Sequence, residues 1–194
     1  MRLLWHAING LGLGHVVRLL AIARQVRLIR PAWQSAFLTN SDASSVISQE
    51  GFAVFKVPSR TSFTEAHFRV GQQLRLAQAA ALSVASALDP HALITDTMAA
   101  GPYLELLPIL QWPIFKAFVY REQGPEASRD HGFQEMLRAY NAVLVPHDQG
   151  SVSLRVPPGP LVHWCGEMVI RSRTEALSKS AARSELGLPR RGTL

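Results

Sequence analysis

Residues 3–18 read LLWHAINGLGLGHVVR, and the reading of this stretch decides the fold. Positions 3–8 are almost unbroken in hydrophobicity, which suits a strand covered on both faces of a parallel sheet. Asn9, Gly10, Leu11, Gly12, Leu13 and Gly14 then form a glycine-rich loop ending at His15. Beyond it Val16, Leu19, Leu20, Ala23 and Val26 recur at helical spacing, and Pro31 predicts that this helix stops near Ile29 or Arg30. A strand, a glycine loop and a helix in that order place the loop at the carboxyl end of the strand, where open α/β sheets hold their ligands.

The rest of the chain extends the alternation. Strands are expected at 35–39, 52–57, 92–95, 114–119, 142–145 and 161–164. A short helix ending at Gly51, with Ser41 or Asp42 as its cap, separates the second and third. One long helix is expected over 64–88, closed by Asp89 and Pro90, with further helices from the Gly101-Pro102 break to 110, over 133–140 and over 175–186. Alternating units of this size predict a doubly wound, mainly parallel Rossmann-like α/β sheet of six or seven strands with right-handed crossovers. The domain division that follows is 1–170 for a Rossmann-like domain. Residues 171–194 would be a linker helix and the start of a second domain.

Composition narrows the function classes. The chain has 194 residues, 47% hydrophobic and 18% charged, with a mean hydropathy of +0.08, which is globular rather than disordered or fibrous. No uncharged run reaches the length of a membrane span, and the early His6 and Asn9 do not suit a signal peptide. Cys165 is the one cysteine, which favours a reducing cytoplasm. The net charge is +6, and only Lys56, Lys116 and Lys179 among the 20 cations are lysines. Such a balance admits phosphate-bearing substrates, nucleic acid or an anionic membrane surface. No lysine tail, zinc spacing or RNA-binding aromatic motif selects nucleic acid, and no His, Cys and carboxylate spacing predicts a metal.

Several residues stand where chemistry is expected. The glycine loop is not a phosphate-binding Walker loop, since no Gly-Lys-Ser/Thr follows, and a third dinucleotide-fingerprint glycine is replaced by His15 or Val17. His15 at a helix start suits a neutral general base or a hydrogen-bond donor to an anion, against a plain first-turn polar residue. Asp96 and Thr97 close the fourth strand at the crevice edge, where Asp96 would orient a hydroxyl or cap the next helix. Arg121 follows the fifth strand as an anion clamp or a solvated loop charge. His147 follows the sixth as a substrate contact or an ordinary loop residue. His6 reads as a satisfied core residue, and Trp112 and Trp164 as packing rather than sugar platforms.

The segment NGLGLGHVVRLLAIARQVR resembles the first loop and helix of bacterial predicted glycosyltransferases of the GT-B fold, with Gly-x-Gly-His and an arginine three residues later. ALITDTMAAGPYLELLPIL resembles that family's strand–Asp–helix region, YNAVLVPHDQG its sixth strand and turn, and ARSELGLP its interdomain linker. The wider superfamily includes the cell-wall N-acetylglucosaminyltransferase and a nucleotide-sugar hydrolase. The resemblance implies the acceptor-side half of an enzyme moving a hexosyl group from a nucleotide-sugar to an acceptor, small or lipid-linked, without a further cofactor. It implies catalytic roles for His15 and Asp96. Gly10, Gly12, Gly14 and Arg18 would contact substrate or phosphate, as would Thr97, Arg121 and His147. A donor-binding C-terminal half would be needed in cis or in trans. Hydrolysis of a nucleotide-sugar, or a non-catalytic half of a split transferase, are the alternatives. A peripheral membrane contact and self-association are left open.

Overall fold

The computed structural model describes residues 1–8, 13–122, 124, 130–189 and 191–192. Seven strands form one sheet: β1 (Arg2–Ala7), β2 (Gln34–Thr39), β3 (Ala53–Lys56), β4 (Ala92–Asp96), β5 (Phe115–Val119), β6 (Ala142–Val145) and β7 (Leu161–Trp164). All neighbouring strands pair in parallel, in the spatial order β3-β2-β1-β4-β5-β6-β7. The chain winds outward from β1 in one direction and returns to β4 to wind in the other. The carboxyl ends of β1 and β4 therefore flank the topological switch, where the crevice of such a sheet opens.

Both faces of the sheet are covered because strand side chains alternate. Leu3, Trp5 and Ala7 of β1, with Ala92 and Ile94 of β4, pack beneath Val16, Leu19, Leu20 and Ala23 of helix α1 (Gly14–Ile29). Leu4 and Leu93 face the other way, into a second core with Ala77, Ala81 and Ala85. Those three alanines come from the helix Val70–Leu88 and recur every fourth residue, so the helix backbone approaches the sheet closely along one stripe.

The long helix expected over 64–88 is two helices in the structure. Following α1 and α2 (Ser44–Gln49), they are α3 (Arg60–Glu65) and α4 (Val70–Leu88). His67 between them has φ 57°, a left-handed conformation that no helix continues through. Burial drives the break, since Phe63 is 2% exposed and packs edge-on against both Phe68 and Tyr103. Neither Ser41 nor Asp42 caps α2, whose N-terminal residue Ala43 makes no side-chain cap, while Ser41 accepts from the Ala43 amide outside the helix. The helix after Gly101 shrinks to α5 (Leu107–Leu110), because the preceding loop is shaped by a buried carboxylate described below. Helix α6 (His131–Leu137) starts two residues before expectation, with the Asp130 side chain accepting from the Phe133 amide.

The 175–186 helix is also divided. A 3-10 turn (Arg173–Glu175) runs into extended backbone at Ala176, and α7 (Lys179–Glu185) restarts with the Ser178 hydroxyl capping Ala181. Glu175 is drawn away from that helix by Arg24 of α1 and by Arg171, and both arginines also bind Glu50 at the end of α2. Ile170 packs against the α1-side core, so this segment is tied to the domain by apolar contact as well as charge. Among the described residues, no helix is long and apolar enough to cross a membrane.

Candidate functional site

The carboxyl end of β4 decides which side chain goes where. Thr95 shares the face of Leu93, so the next residue, Asp96, must share the face of Ile94 and look toward α1. On α1, His15 and Arg18 are three residues apart and stand on one face of the helix. Parallel pairing of β1 with β4 brings the two elements together. His15 Nδ1 lies 2.9 Å from Asp96 Oδ1, and one amino group of Arg18 donates to both Asp96 oxygens at 2.9 and 2.8 Å. The Thr97 hydroxyl donates to Asp96 Oδ1 and lies 3.1 Å from His15 Nδ1.

This cluster is almost dry. The Asp96 side chain is fully buried and that of His15 is 8% exposed, whereas Arg18 reaches 20%. An acceptor carboxylate at Nδ1 selects the tautomer with its proton there, so Nε2 carries the lone pair. Nε2 has no hydrogen-bond partner among the described residues. The backbone beside it is strained: Thr97 has φ 65°, a left-handed conformation that is costly for a β-branched residue. Strain of this kind, about 1–3 kcal/mol, persists where surrounding structure holds it, as the Asp96 and His15 contacts of Thr97 do here.

A second polar group supports the loop 97–104 from the opposite face of the sheet. His6 of β1 binds Thr95 Oγ1 at 2.9 Å through Nδ1 and Glu105 Oε1 at 3.0 Å through Nε2. Glu105 Oε2 also accepts from the Tyr103 amide at 2.8 Å. Gly101 has φ 79°, and a Cβ there would collide with the Glu105 carboxylate. Its glycine is therefore required by both backbone and space. Tyr140 donates its hydroxyl to the Ala99 carbonyl from below, and complete burial pushes that hydroxyl's pKa well up, so it stays protonated. Sequence reading placed His6 in the core correctly but had no means of finding Glu105, since nothing local marks a carboxylate that will be buried.

Two cavities border this loop. One of about 600 Å³ lies between the loop and α6, lined by Thr97, Met98, Gly101, Phe133 and Met136, with Asp130 at its edge. Its walls are mainly apolar, and Thr97 links it to the His15 cluster. The other, on the α3–α4 side, contains Arg60 and Tyr103.

The remaining expected residues sort as follows. Arg18 lines a small cavity with His147 and Glu167, so the structure brings His147 near the cluster without a direct bond to it. Arg121 is exposed at the end of β5 and its side chain bonds to none of these groups among the described residues. Gly14 begins α1, and a Cβ added there would meet nothing within 4 Å, so protein packing does not require this glycine. Gly10 and Gly12 lie outside the described residues. No group of three metal-ligating side chains occurs among the described residues. Trp112 and Trp164 pack partly buried against the α4-side core.

No protein-family model and no curated protein sequence matches the chain. Solved structures do. MurG from Acinetobacter baumannii superposes with a TM-score of 0.56 at 13% identity, covering 83% of this chain and 45% of that one. A UGT transferase from Siraitia grosvenorii, solved with UDP, gives 0.53 at 12% identity over 96% of this chain and 52% of the other. UDP-GlcNAc 2-epimerase from Neisseria meningitidis, bound to UDP-GlcNAc, gives 0.54 at 6% identity over 76% and 40%. The chain thus spans about half the length of the structures it matches. Its fold is the all-parallel Rossmann-like α/β fold that makes up about half of each of these GT-B-type structures.

Proposed function

We propose that this chain is the acceptor-side domain of a hexosyltransferase that uses a nucleotide-sugar donor. The observation that carries the reading is His15, held through Nδ1 by buried Asp96, with Nε2 lacking a partner among the described residues, at the switch of a GT-B-type sheet. In this role Nε2 takes the proton from the acceptor hydroxyl. The acceptor oxygen forms its bond to the anomeric carbon, and the bond to the nucleotide diphosphate breaks with its electron pair leaving on the phosphate. Asp96 acts on His15 by fixing its tautomer and stabilising the imidazolium that forms. Arg18 and Thr97 hold Asp96, and the remaining arm of Arg18 is available to the diphosphate.

Two of the matching structures hold UDP or UDP-GlcNAc, which supports a donor of that class. Gly14, with open space at its Cβ position, supports close approach of a ligand to the start of α1. Residues 1–170 form the acceptor-side unit in this proposal, and 171–194 lead toward a donor-binding half; Arg121 and His147 remain candidate substrate contacts at the crevice rim. The apolar cavity beside Thr97 supports an acceptor with a hydrophobic portion.

The test is turnover of UDP-GlcNAc by the intact enzyme with and without acceptor, repeated for His15→Ala. A loss in kcat of roughly 10²–10⁴-fold is expected for a missing general base. Near-normal turnover removes His15 from the chemistry, and free sugar released without acceptor favours hydrolysis instead.

A further inference from the structure

The cavity between α3, α4 and the loop 97–104 has a volume of about 430 Å³ and a polar lining of Asn40, Arg60, Gln73 and Tyr103. Leu74 and Met98 supply apolar wall. Two buried side-chain polar atoms lack a hydrogen-bond partner among the described residues, Trp5 Nε1 and the Tyr103 hydroxyl. Trp5 sits in the α1-side core, but Tyr103 lines this cavity. Buried hydroxyls without partners are rare, because stripping water from one costs about as much as a hydrogen bond returns.

The charges around that hydroxyl are specific. Burial, and then the Glu105 carboxylate behind it, push the Tyr103 pKa up, while the Arg60 guanidinium opposes them. Tyr103 is thus a neutral donor at ordinary pH, with a cation near it on the cavity side. Arg60 is exposed and its side chain makes no ion pair or hydrogen bond among the described residues. Gln73 is nearly buried and uses its amide nitrogen on the Phe68 carbonyl, which fixes the wall of the cavity. A group that bridges Arg60 and Tyr103 would accept hydrogen bonds and carry negative charge.

We infer that this cavity is an oxyanion subsite, in which Arg60 pairs with a carboxylate or phosphate group of the ligand and the Tyr103 hydroxyl donates to the same group. Met98 and Pro102 line both this cavity and the apolar one beside Thr97. On the acceptor-domain reading proposed above, on which this assignment of the ligand rests, the acceptor is anionic at a point separated from its reacting hydroxyl by the loop 97–104. None of the described residues lining the cavity is a carboxylate, and Glu105, behind Tyr103, is held by His6 and by the Tyr103 amide.

The chain contains three tyrosines, so tyrosine labelled at the ring ζ-carbon gives three resolvable NMR signals. Inorganic phosphate, sodium acetate and sodium chloride are titrated at matched ionic strength. The expected result is a saturable shift of one signal, absent from Tyr103→Phe, with phosphate or with acetate; which of the two saturates identifies the ligand's anion. Arg60→Gln is expected to weaken that saturation on the order of tenfold, as for loss of a charge-assisted contact. Tyr103→Phe is expected to keep the wild-type Tm, since it deletes an unpartnered hydroxyl. An unsaturated drift equal to that with chloride, or an unchanged midpoint in Arg60→Gln, overturns the subsite and leaves the hydroxyl to water. Because binding is read without turnover, this failure is distinct from failure of the transfer reading, which the His15→Ala kinetics address.

Discussion

Among the described residues, two buried histidine–carboxylate pairs lie on opposite faces of the sheet beside β1 and β4, and they differ in one respect. His6 uses both ring nitrogens, one on Thr95 and one on Glu105, at 2% exposure. His15 uses Nδ1 on Asp96 and Thr97, at 6% exposure, and keeps Nε2 without a partner among the described residues. Burial and carboxylate pairing are therefore common to both. A ring with both nitrogens engaged can only hold structure together, whereas a ring with one engaged is oriented and still able to move a proton.

The largest expected effects fall on the half-engaged histidine. His15→Ala lowers kcat of the intact enzyme by roughly 10²–10⁴-fold with little change in Tm, and Asp96→Asn lowers it in the same direction by misorienting the ring. If both variants lose stability rather than kcat, the two pairs are alike and the comparison fails. His6→Ala does the opposite. It strips the buried Glu105 carboxylate of its imidazole partner and costs about 3 kcal/mol in denaturant unfolding, while kcat per folded molecule is retained. His6→Leu combined with Glu105→Met is expected to recover most of that loss, because an apolar pair leaves no group unsatisfied.

Smaller effects sharpen the boundary between the two regions. Gly101→Ala costs at least about 1 kcal/mol in thermal unfolding, through its positive φ and the nearby Glu105 carboxylate. In a Glu105→Ala background the steric part of that cost disappears and the backbone part remains, which separates the two causes. Gly14→Ala sits at the start of a helix with free space around it, and is expected to change stability by under about 1 kcal/mol and in the stabilising direction. Reduced binding of the UDP-sugar by this variant would place the ligand at the helix start; unaltered binding would move it away.

Much of the fold was legible because strands and helices are written in local patterns. The apolar run before the glycine loop, the alternation of strands with helical segments, and Pro31 each act over a few residues. The errors are equally physical. The 64–88 segment has continuous helical propensity, yet the Phe63–Phe68–Tyr103 contact is worth more than the extra helical turn, and His67 takes the left-handed bend. The expected helix at 175–186 breaks because Glu175 is held by arginines from elsewhere in the chain.

The candidate site divides along the same line. Its parts were visible one at a time, since His15, Arg18, Asp96 and Thr97 stand at strand ends or a helix start in an alternating β/α chain. That Asp96 faces α1 rather than α4 follows from the two-residue period of a strand, once the register is known.

The amino-acid pattern by itself determined the class of sheet and the rim on which chemistry would stand, because hydrophobic period, glycine and proline act locally. Only the tertiary structure decided which histidine has a ring nitrogen without a partner among the described residues, that Glu105 is buried behind Tyr103, and that Arg60 shares a cavity with a residue 43 positions away. Those outcomes depend on groups distant in sequence meeting in a dry interior, where an unpaired polar atom is costly, and no local propensity encodes such a meeting.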